Sequence, residues 1–317
     1  AIPRGRSGAR TRVPTKVATP TIPSWPLTRQ AVTRGRICTR LKRAAMMMTA
    51  AATHAQRLPG TENGEWRYLG GDAGHTRYSP LDQINASNFG ELEEVWAWRS
   101  DNFGPNLDYF SRATPIYVDG MLYSVATPRR QVIAMDPATG ENLWTFRETP
   151  TIRHSRSPRQ AYGKGVAYAE VNSRGVIYIT TPGFFLWALD AKTGQPLENW
   201  GAAVPLEGFG DSGVVDLIPH LVEDWGPWQD YLIAGGSYDP NYGIPREIGM
   251  VTASAPPIVV NGVVVVLVGH QPSYGQTRIE NVPGDIMGFS AETGEFMWKF
   301  HSIPRPGEVG NETWEND

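Results

Sequence analysis

The chain has 317 residues with 34 Gly, 26 Pro and 11 Trp, a composition typical of an all-β fold with a large core. Its single cysteine, Cys38, excludes an internal disulfide framework and a cysteine-based zinc site. Residues 1–61 hold 12 Lys and Arg and no Asp or Glu, whereas residues 62–317 hold 17 basic and 32 acidic residues. The resulting net charge of −15 makes this second part a poor candidate for binding nucleic acid.

Residues 1–57 are predicted to be a basic, disordered leader, because residues 1–43 are rich in Arg, Pro, Thr and Ser and lack periodicity. Residues 40–55 resemble the end of a secretory signal, a basic segment followed by small and apolar residues, so we expect export to the periplasm. Two alternatives stay open. In the first, the residues before a true start at one of positions 46–48 are not part of the native protein. In the second, the segment is a basic arm that binds nucleic acid, although no aromatic residues are interleaved with its basic ones. No run of 18 apolar residues predicts a membrane-spanning helix.

Three predicted β-hairpins follow in the chain. The first covers residues 114–124 around Asp119-Gly120, and the third covers residues 257–267 around Asn261-Gly262, both strong hairpin signals. The second covers residues 165–179, and we expect its turn at Arg174-Gly175.

A repeated phrase comes after each predicted hairpin: a strand ending in Asp or Ser, a Thr-Gly turn, and a second strand ending on Trp. Its copies are residues 133–144, 186–200 and 284–300, with a degenerate copy at 83–96. Asp or Ser opens such a turn by bonding nearby backbone, and Gly takes the positive φ. Repeats of this length in a β-rich chain predict propeller blades or a solenoid of four-stranded units, with each Trp packed between neighbouring sheets and its N–H partnered.

The repeat is interrupted by an insertion at residues 201–252, which holds several aromatic residues among Gly and Pro. Insertions of this size often help to shape a site on one face of a repeat protein. The alternative is a surface cover that is packed by its own aromatic side chains.

Several motifs together resemble the pyrroloquinoline quinone (PQQ)-dependent dehydrogenases, or quinoproteins, most closely their glucose/polyol-type branch. These motifs are Trp66-Arg67-Tyr68, Gly70-Gly71-Asp72-Ala73, the repeat itself, residues 164–168, and above all residues 300–308 with 311–315. The repeat alone is shared with non-enzymatic propellers. The resemblance implies an all-β, eight-bladed β-propeller of four-stranded blades, of which residues 62–317 would form the N-terminal half, with about three full blades and part of another.

The resemblance also implies that PQQ and Ca²⁺ bind near the propeller axis. The cofactor-binding candidates are Lys164, Arg159, Gln160, Ser254, Gly269 and His270. Lys164 resembles the basic residue that pairs with a PQQ carboxylate, and a cation suits that polyanionic cofactor. Arg159 and Gln160 lie where the family places groups over the PQQ ring, and Ser254 resembles a hydroxyl that bonds PQQ. The alternative interpretation of Lys164 is a solvated lysine in a turn, and that of Ser254 is an ordinary serine at the start of a strand.

Glu280 is the candidate calcium ligand, because a hard cation prefers carboxylate oxygens. The catalytic base of the family is expected beyond Asp317, so we assign no catalytic residue within this chain. The vicinal cysteine pair of the alcohol-oxidising members is absent, which weakens a methanol-type interpretation. His75 and His301 are predicted to be structural.

The sequence therefore predicts an exported quinoprotein that oxidises a sugar, polyol or alcohol and passes electrons to a quinone or a cytochrome. The alternative is a non-enzymatic propeller that acts as a scaffold or binding module, for which Lys164 and residues 313–315 would have no use. NAD chemistry is not supported, since no Gly-x-Gly-x-x-Gly lies between a strand and a helix.

Overall fold

The structure is a computed structural model that describes residues 59–104, 108, 110–161, 163–270 and 282–313. The predicted leader, residues 1–57, lies outside the described residues. Within the described ranges, no helix combines the length and the apolar character needed to cross a bilayer.

Three antiparallel four-stranded sheets follow one another along the chain, each with its strands in sequence order. The first sheet consists of β1 (Ile116–Val118), β2 (Met121–Ala126), β3 (Gln131–Met135) and β4 (Asn142–Phe146). The second consists of β5 (Ala167–Val171), β6 (Arg174–Thr180), β7 (Phe185–Asp190) and β8 (Val214–Asp216). After the short strand β9 (Val251–Thr252), the third consists of β10 (Ile258–Val260), β11 (Val263–Leu267), β13 (Ile286–Ser290) and β14 (Phe296–Phe300). Strand β12 (Gly269–His270) pairs with β9.

Helices are short and lie in the connections. The α-helices are α1 (Ile152–Arg156), α2 (Leu217–Val222) and α3 (Gly226–Ile233). The 3₁₀-helices are Glu62–Gly64, Phe89–Glu91, Ser100–Phe103 and Asn311–Thr313. Helices α2 and α3 both lie within residues 201–252, so this segment has secondary structure of its own.

Two of the three hairpin turns lie where the sequence predicts them. Asp119 and Gly120 have φ of +50° and +76° between β1 and β2, and Asn261 and Gly262 have φ of +48° and +75° between β10 and β11. Positive φ at both central residues defines the turn that matches the twist of paired strands. The predicted turns at Asp-Gly and Asn-Gly are confirmed.

The turn of the second hairpin is two residues earlier than predicted. Asn172 and Ser173 take the positive φ, +51° and +62°, whereas Arg174 and Gly175 lie in β6 and pair with β5. Asn tolerates the left-handed conformation better than most non-glycine residues, so the turn does not need the glycine. The prediction of a turn at Arg174-Gly175 was wrong.

The repeated turns form as predicted. The residue that opens each turn accepts a hydrogen bond from the backbone N–H three positions on, in the pairs Asp136–Thr139 (2.9 Å), Asp190–Thr193 (2.8 Å) and Ser290–Thr293 (3.1 Å). The glycine of each turn has positive φ, at Gly140 (+71°), Gly194 (+70°) and Gly294 (+75°). These shared contacts explain why the phrase recurs in the sequence.

Three of the repeat tryptophans, Trp96, Trp144 and Trp200, are bonded to the turn of the following repeat. Each indole N–H donates to the carbonyl directly after the opening residue, in the pairs Trp96–Pro137 (3.1 Å), Trp144–Ala191 (3.0 Å) and Trp200–Ala291 (3.0 Å). The ring lies over the turn glycine, which has no Cβ to clash with it. The predicted packing of tryptophan between sheets, with a partnered N–H, is confirmed for Trp144 and Trp200. Trp96 of the degenerate copy makes the same hydrogen bond from a segment that forms no strand.

The second sheet departs from the predicted pattern at its outer edge. We expected its outer strand to end on Trp200, but the strand that pairs with β7 is β8, which comes from residues 214–216. Pro196, which has no N–H to donate to a ladder, makes only an isolated bridge with Leu189. Trp200 still reaches its contact and is 1% exposed.

The core consists of two layers on either side of the second sheet. Side chains Ile177, Ile179 and Trp187 face the first sheet, and their neighbours Tyr178 and Leu186 face the third sheet and α2. Successive side chains of a strand point to opposite faces, so a sheet covered on both sides has strands that are apolar throughout. Strand β7 shows this, with five buried residues in a row.

Candidate functional site

The sheets have two ends that differ in sequence and in structure. The repeated Thr-Gly turns lie at one end, which we call the turn end. The opposite end, which we call the loop end, consists of residues 127–130, 147–166, 181–184 and 217–257, which do not resemble one another. Buried polar and charged side chains are concentrated at the loop end. Four of the six predicted cofactor-binding residues also lie there: Arg159, Gln160, Lys164 and Ser254.

Arg130 lies at the centre of the loop end and is 3% exposed. One guanidinium nitrogen donates to the carbonyls of Thr180 and Ala253, and the other donates to those of Arg159 and Ala161. The side chain therefore joins the β4–β5 connection to the segment between β9 and β10. No sequence motif identified Arg130; the only available signal was an arginine directly before a strand that is buried along its whole length.

Lys164, Arg159 and Ser254 lie on the two segments that Arg130 joins. The backbone carbonyl of Lys164 accepts a hydrogen bond from Thr114 (2.9 Å). The next residue, Gly165, has φ of +145°, and a Cβ there would lie 3.0 Å from the Thr114 carbonyl oxygen. Glycine is therefore required at this position to place Lys164 beside the first sheet.

The other predicted cofactor-binding residues have different surroundings. The side-chain amide of Gln160 donates to the carbonyl of Ser155 (2.7 Å), within its own loop. Gly269 pairs with Thr252 through β12 and β9, and His270 pairs with Val251, so both backbones lie beside the strand that precedes Ser254. Glu280, the predicted calcium ligand, lies outside the described residues.

A hydroxyl contact adds to the connection between the two segments. Ser157 and Thr252 are both buried, and their hydroxyl oxygens are 3.4 Å apart. The loop that holds Arg159 and Lys164 thus contacts the segment that holds Ser254 at two places, through Arg130 and through this pair. The structure brings together these parts of the predicted site.

Glu148 is a buried carboxylate in the β4–β5 connection. Its Oε2 accepts hydrogen bonds from the hydroxyl of Thr181 (2.6 Å) and the indole of Trp187 (2.7 Å). Burial raises the pKa of Glu148 to about 7, although these hydrogen bonds and the charges of Arg153 and Arg130 act in the opposite direction. The group therefore titrates near neutral pH, which a carboxylate at the surface does not do.

Arg153 fixes residues 201–252 to the loop end. Its guanidinium donates to Asp216 (2.9 Å) and to the hydroxyl of Tyr238 (2.8 Å), and it lies 3.3 Å from the centroid of the Phe185 ring. Tyr238 also donates to Asp216. Because the pair is buried, it is held by hydrogen bonds on several sides, as a buried ion pair must be.

A small cleft of about 30 Å³ lies between α1, the β6–β7 turn and residues 242–251. Arg156 is half-buried on its wall, with its guanidinium 4.3 Å from the centroid of the Tyr242 ring. Aromatic side chains within residues 201–252 also contact each other, as in the pair Trp228–Tyr231. The segment thus lines one side of a cleft and is also partly packed by its own aromatic side chains. It has features of both interpretations of its sequence.

His154 lies in α1 and is buried. Burial lowers its pKa to about 4, and the positive charges of Arg129 and Arg130 act in the same direction. The imidazole is therefore neutral at physiological pH.

An ionic cluster joins the α2–α3 connection to the segment after β14. Asp224 bonds the ammonium of Lys299 (2.7 Å) and the guanidinium of Arg305 (2.6 Å). Burial raises the pKa of Asp224, but these two cations outweigh burial and hold the pKa at about 2. His301 contacts Asp224 (3.2 Å) and Glu308 (2.6 Å), so it takes part in this cluster. Within the described ranges, no three His, Cys, Asp or Glu side chains are arranged to hold a metal.

Comparison with known proteins assigns this chain to a family. Residues 66–317 match the family model described as PQQ glucose/ethanol/alcohol dehydrogenase, beta-propeller domain. The chain belongs to this family. The predicted resemblance is confirmed, and the three sheets are blades of an all-β propeller.

Relatives of this quinoprotein family are similar over most of the chain. The glycerol dehydrogenase large subunit of Gluconobacter oxydans is 29% identical over 271 residues, which cover 82% of this chain and 31% of the relative. The quinoprotein glucose dehydrogenase of Escherichia coli is 27% identical over 268 residues, which cover 80% and 29%. The crystal structure of quinohemoprotein alcohol dehydrogenase from Comamonas testosteroni gives a TM-score of 0.54 at 26% identity, covering 81% of this chain and 31% of that one. The chain spans about 30% of the length of these relatives.

The candidate residues on the two segments that Arg130 joins are of types that suit PQQ. Lys164 and Arg159 bring positive charge, and Ser254 brings a hydroxyl donor, to two segments that one buried guanidinium holds together. A polyanionic quinone requires such a combination of cations and neutral donors. The fit rests on these three residues.

Proposed function

We propose that the complete protein containing this chain is a PQQ-dependent dehydrogenase that oxidises a sugar, polyol or other alcohol. The observation that supports this most directly is the convergence of the Lys164 and Ser254 segments on Arg130, in a chain of the quinoprotein family. When bound, PQQ supplies the acceptor for two electrons from the substrate.

In this proposal the chain supplies part of the cofactor site. Lys164 would neutralise a carboxylate of PQQ, Arg159 would supply a second cation to the cofactor, and the hydroxyl of Ser254 would donate to a cofactor oxygen. Glu280 provides a carboxylate oxygen to Ca²⁺. The base that accepts the alcohol proton is expected outside this chain, as are the residues that select among substrates.

The proposal includes an exported, periplasmic protein that passes its electrons to a quinone or a cytochrome. The relatives are named as glycerol, glucose and alcohol dehydrogenases, which supports a substrate with a CH–OH group without selecting one. A polyol or sugar is our preferred class, because the motifs at residues 300–308 resemble that branch.

Reconstitution of the complete gene product with PQQ and Ca²⁺ tests this function. We expect dye-linked oxidation of a polyol or sugar that depends on both additions, and binding of PQQ at micromolar concentration or below. Lys164→Gln should weaken PQQ binding about tenfold, because a desolvated charge-assisted hydrogen bond is lost.

Lys192→Gln provides the matched control for this experiment. Lys192 is an exposed lysine in a repeat turn at the turn end, so its replacement removes the same charge far along the sheets from the candidate site. Equal PQQ affinity of the two variants would reject the role of Lys164. Failure of the wild-type protein to bind PQQ would reject the dehydrogenase and favour the scaffold function.

A further inference from the structure

Arg130 is the one buried side chain of the described loop end that bonds the backbone of three separate chain segments. Its guanidinium reaches the end of β6 at Thr180, the segment after β9 at Ala253, and the β4–β5 connection at Arg159 (2.5 Å) and Ala161 (3.2 Å). Four carbonyl oxygens around one planar cation is an arrangement that a guanidinium can satisfy and an ammonium cannot, because the donors of arginine are spread over a rigid fork.

The aliphatic part of the same side chain is also enclosed by the loop. A Cβ added to Gly163 would lie 3.0 Å from Cγ of Arg130 and 3.0 Å from Cγ2 of Val125. The loop therefore passes over the stem of Arg130 at Gly163 and is bonded to its head at Arg159 and Ala161. Lys164 is the next residue after this close contact.

This guanidinium stays charged in spite of its burial, because the ordinary pKa of arginine is far above neutral. Burial lowers the pKa of Arg130 to about 10, while the neighbouring carboxylate of Glu148 acts to raise it. At neutral pH the side chain is a cation, so its bonds to the four carbonyls are charge-assisted and stronger than neutral ones.

We propose that Arg130 is a positioning residue that sets the separation between the Lys164 loop (residues 157–164) and the Ser254 segment (residues 252–255). The inference rests on the proposed function, because these two segments hold the groups that would contact PQQ. The guanidinium of Arg130 donates hydrogen bonds to backbone carbonyls, so it would act on the cofactor through Lys164, Arg159 and Ser254.

Arg130→Lys is the discriminating variant, because lysine keeps the charge and most of the stem but cannot bond carbonyls on both segments. Val132→Ala serves as the matched control: Val132 is two residues further on and fully buried in β3, and its side chain makes no hydrogen bond. Both variants are expected to lower the Tm of the complete protein. Only Arg130→Lys is expected to weaken PQQ binding, by about tenfold or more, since displacement of binding groups by about 1 Å has effects of this size.

Two further measurements separate positioning from general destabilisation. Hydrogen exchange of the amides in residues 157–161 should increase in apo Arg130→Lys and stay near wild type in apo Val132→Ala. Gly163→Ala, which pushes the loop away from the Arg130 stem, should weaken PQQ binding severalfold at a nearly unchanged Tm.

The inference is overturned if Arg130→Lys and Val132→Ala, at equal loss of Tm, bind PQQ within twofold of each other. If the wild-type protein binds no PQQ, the proposed function fails, and the exchange experiment still decides whether Arg130 holds the loop. Equal exchange in the two variants would then overturn the inference as well.

Discussion

The turn end and the loop end of the same three sheets are stabilised in different ways. At the turn end, each sheet uses the same contacts: an Asp or Ser that bonds the turn, a glycine with positive φ, and a tryptophan from the previous repeat. At the loop end, each contact occurs once and is buried, as for Arg130, Glu148 and Arg153. A repeated contact fixes the spacing of sheets, whereas single buried contacts can differ from blade to blade and so can form a site.

The largest expected effect concerns the tryptophans of the turn end. Trp200→Ala should lower the free energy of unfolding by about 3–5 kcal/mol, because it removes a buried ring and its hydrogen bond to Ala291. Trp298 occupies the same repeat position but is 39% exposed, so Trp298→Ala should cost only about 1 kcal/mol. Urea denaturation of both variants measures the difference.

This pair tests whether burial by the next sheet, rather than the repeat position, determines the contribution of each tryptophan. Similar losses for Trp200→Ala and Trp298→Ala would show that the repeat position alone matters. A loss at Trp200 below about 1 kcal/mol would contradict the cost expected for a cavity of that size.

The second difference between the two ends is the contribution of their ion pairs to stability. Arg153→Ala at the loop end should cost about 3 kcal/mol, because it leaves the carboxylate of Asp216 buried without its cation. Arg174→Ala at the turn end removes an equally close partner from Asp190 (2.7 Å), but the Arg174 side chain is 54% exposed. Arg174→Ala should lower the free energy of unfolding by less than about 1 kcal/mol, because water and mobile ions screen an exposed ion pair.

Salt dependence provides the check on these two pairs. Raising the ionic strength should reduce the small contribution of Arg174 and leave that of Arg153 nearly unchanged, since buried charges are little screened. Equal costs of the two substitutions would mean that burial does not separate the two ends.

The pH dependence of stability should come mainly from the loop end. The pKa of Glu148 is raised to about 7 from its ordinary value of 4.5, so its stabilising effect is complete below 4.5 and is lost as the pH rises through 7. The pKa of His154 is lowered to about 4 from 6.5, so its effect is complete above 6.5 and is lost as the pH falls through 4. Between pH 4.5 and 6.5 the two slopes oppose each other.

Substitution should separate these opposing slopes. In Glu148→Gln, which cannot titrate, we expect stability to fall on acidification from pH 6.5 to 4.5 more steeply than in the wild type. In His154→Gln we expect stability to rise over the same interval. Thermal unfolding at several pH values measures both, and parallel profiles for all three proteins would contradict the assignment of these groups.

The same contrast explains what could be predicted from the sequence. The blades, two hairpin turns and the tryptophan contacts follow from local patterns, because turn chemistry and strand alternation act within a few residues. Arg130 could not be found in this way: its partners lie 29 to 123 residues away, and only the packed sheets bring them together. The turn at Asn172-Ser173 was missed because the glycine two residues later is a stronger turn signal than Asn-Ser.

Outer strand β8 shows a further limit of pattern reading. By analogy with the other repeats, the sequence predicts that Trp200 packs against the neighbouring sheet. Its hydrogen bond to the Ala291 carbonyl forms. The pairing partner of β7 comes instead from residues 214–216, after a connection whose length the repeat does not specify. A side-chain contact can therefore be kept while the strand that normally accompanies it is replaced.

A small effect is also expected in the third repeat turn, where Ser290 replaces the Asp of the first two. The Ser290 hydroxyl accepts one bond, from the N–H of Thr293, so Ser290→Ala should cost about 1 kcal/mol. Asp136 accepts backbone N–H bonds from two residues of its own turn, and its pKa is lowered by them. Ser290→Asp should therefore be at least as stable as the wild type at neutral pH and lose this advantage in acid, when the new carboxylate is protonated. A destabilised Ser290→Asp at neutral pH would mean that the repeat turns are not interchangeable, and that the turn end is less uniform than its shared contacts indicate.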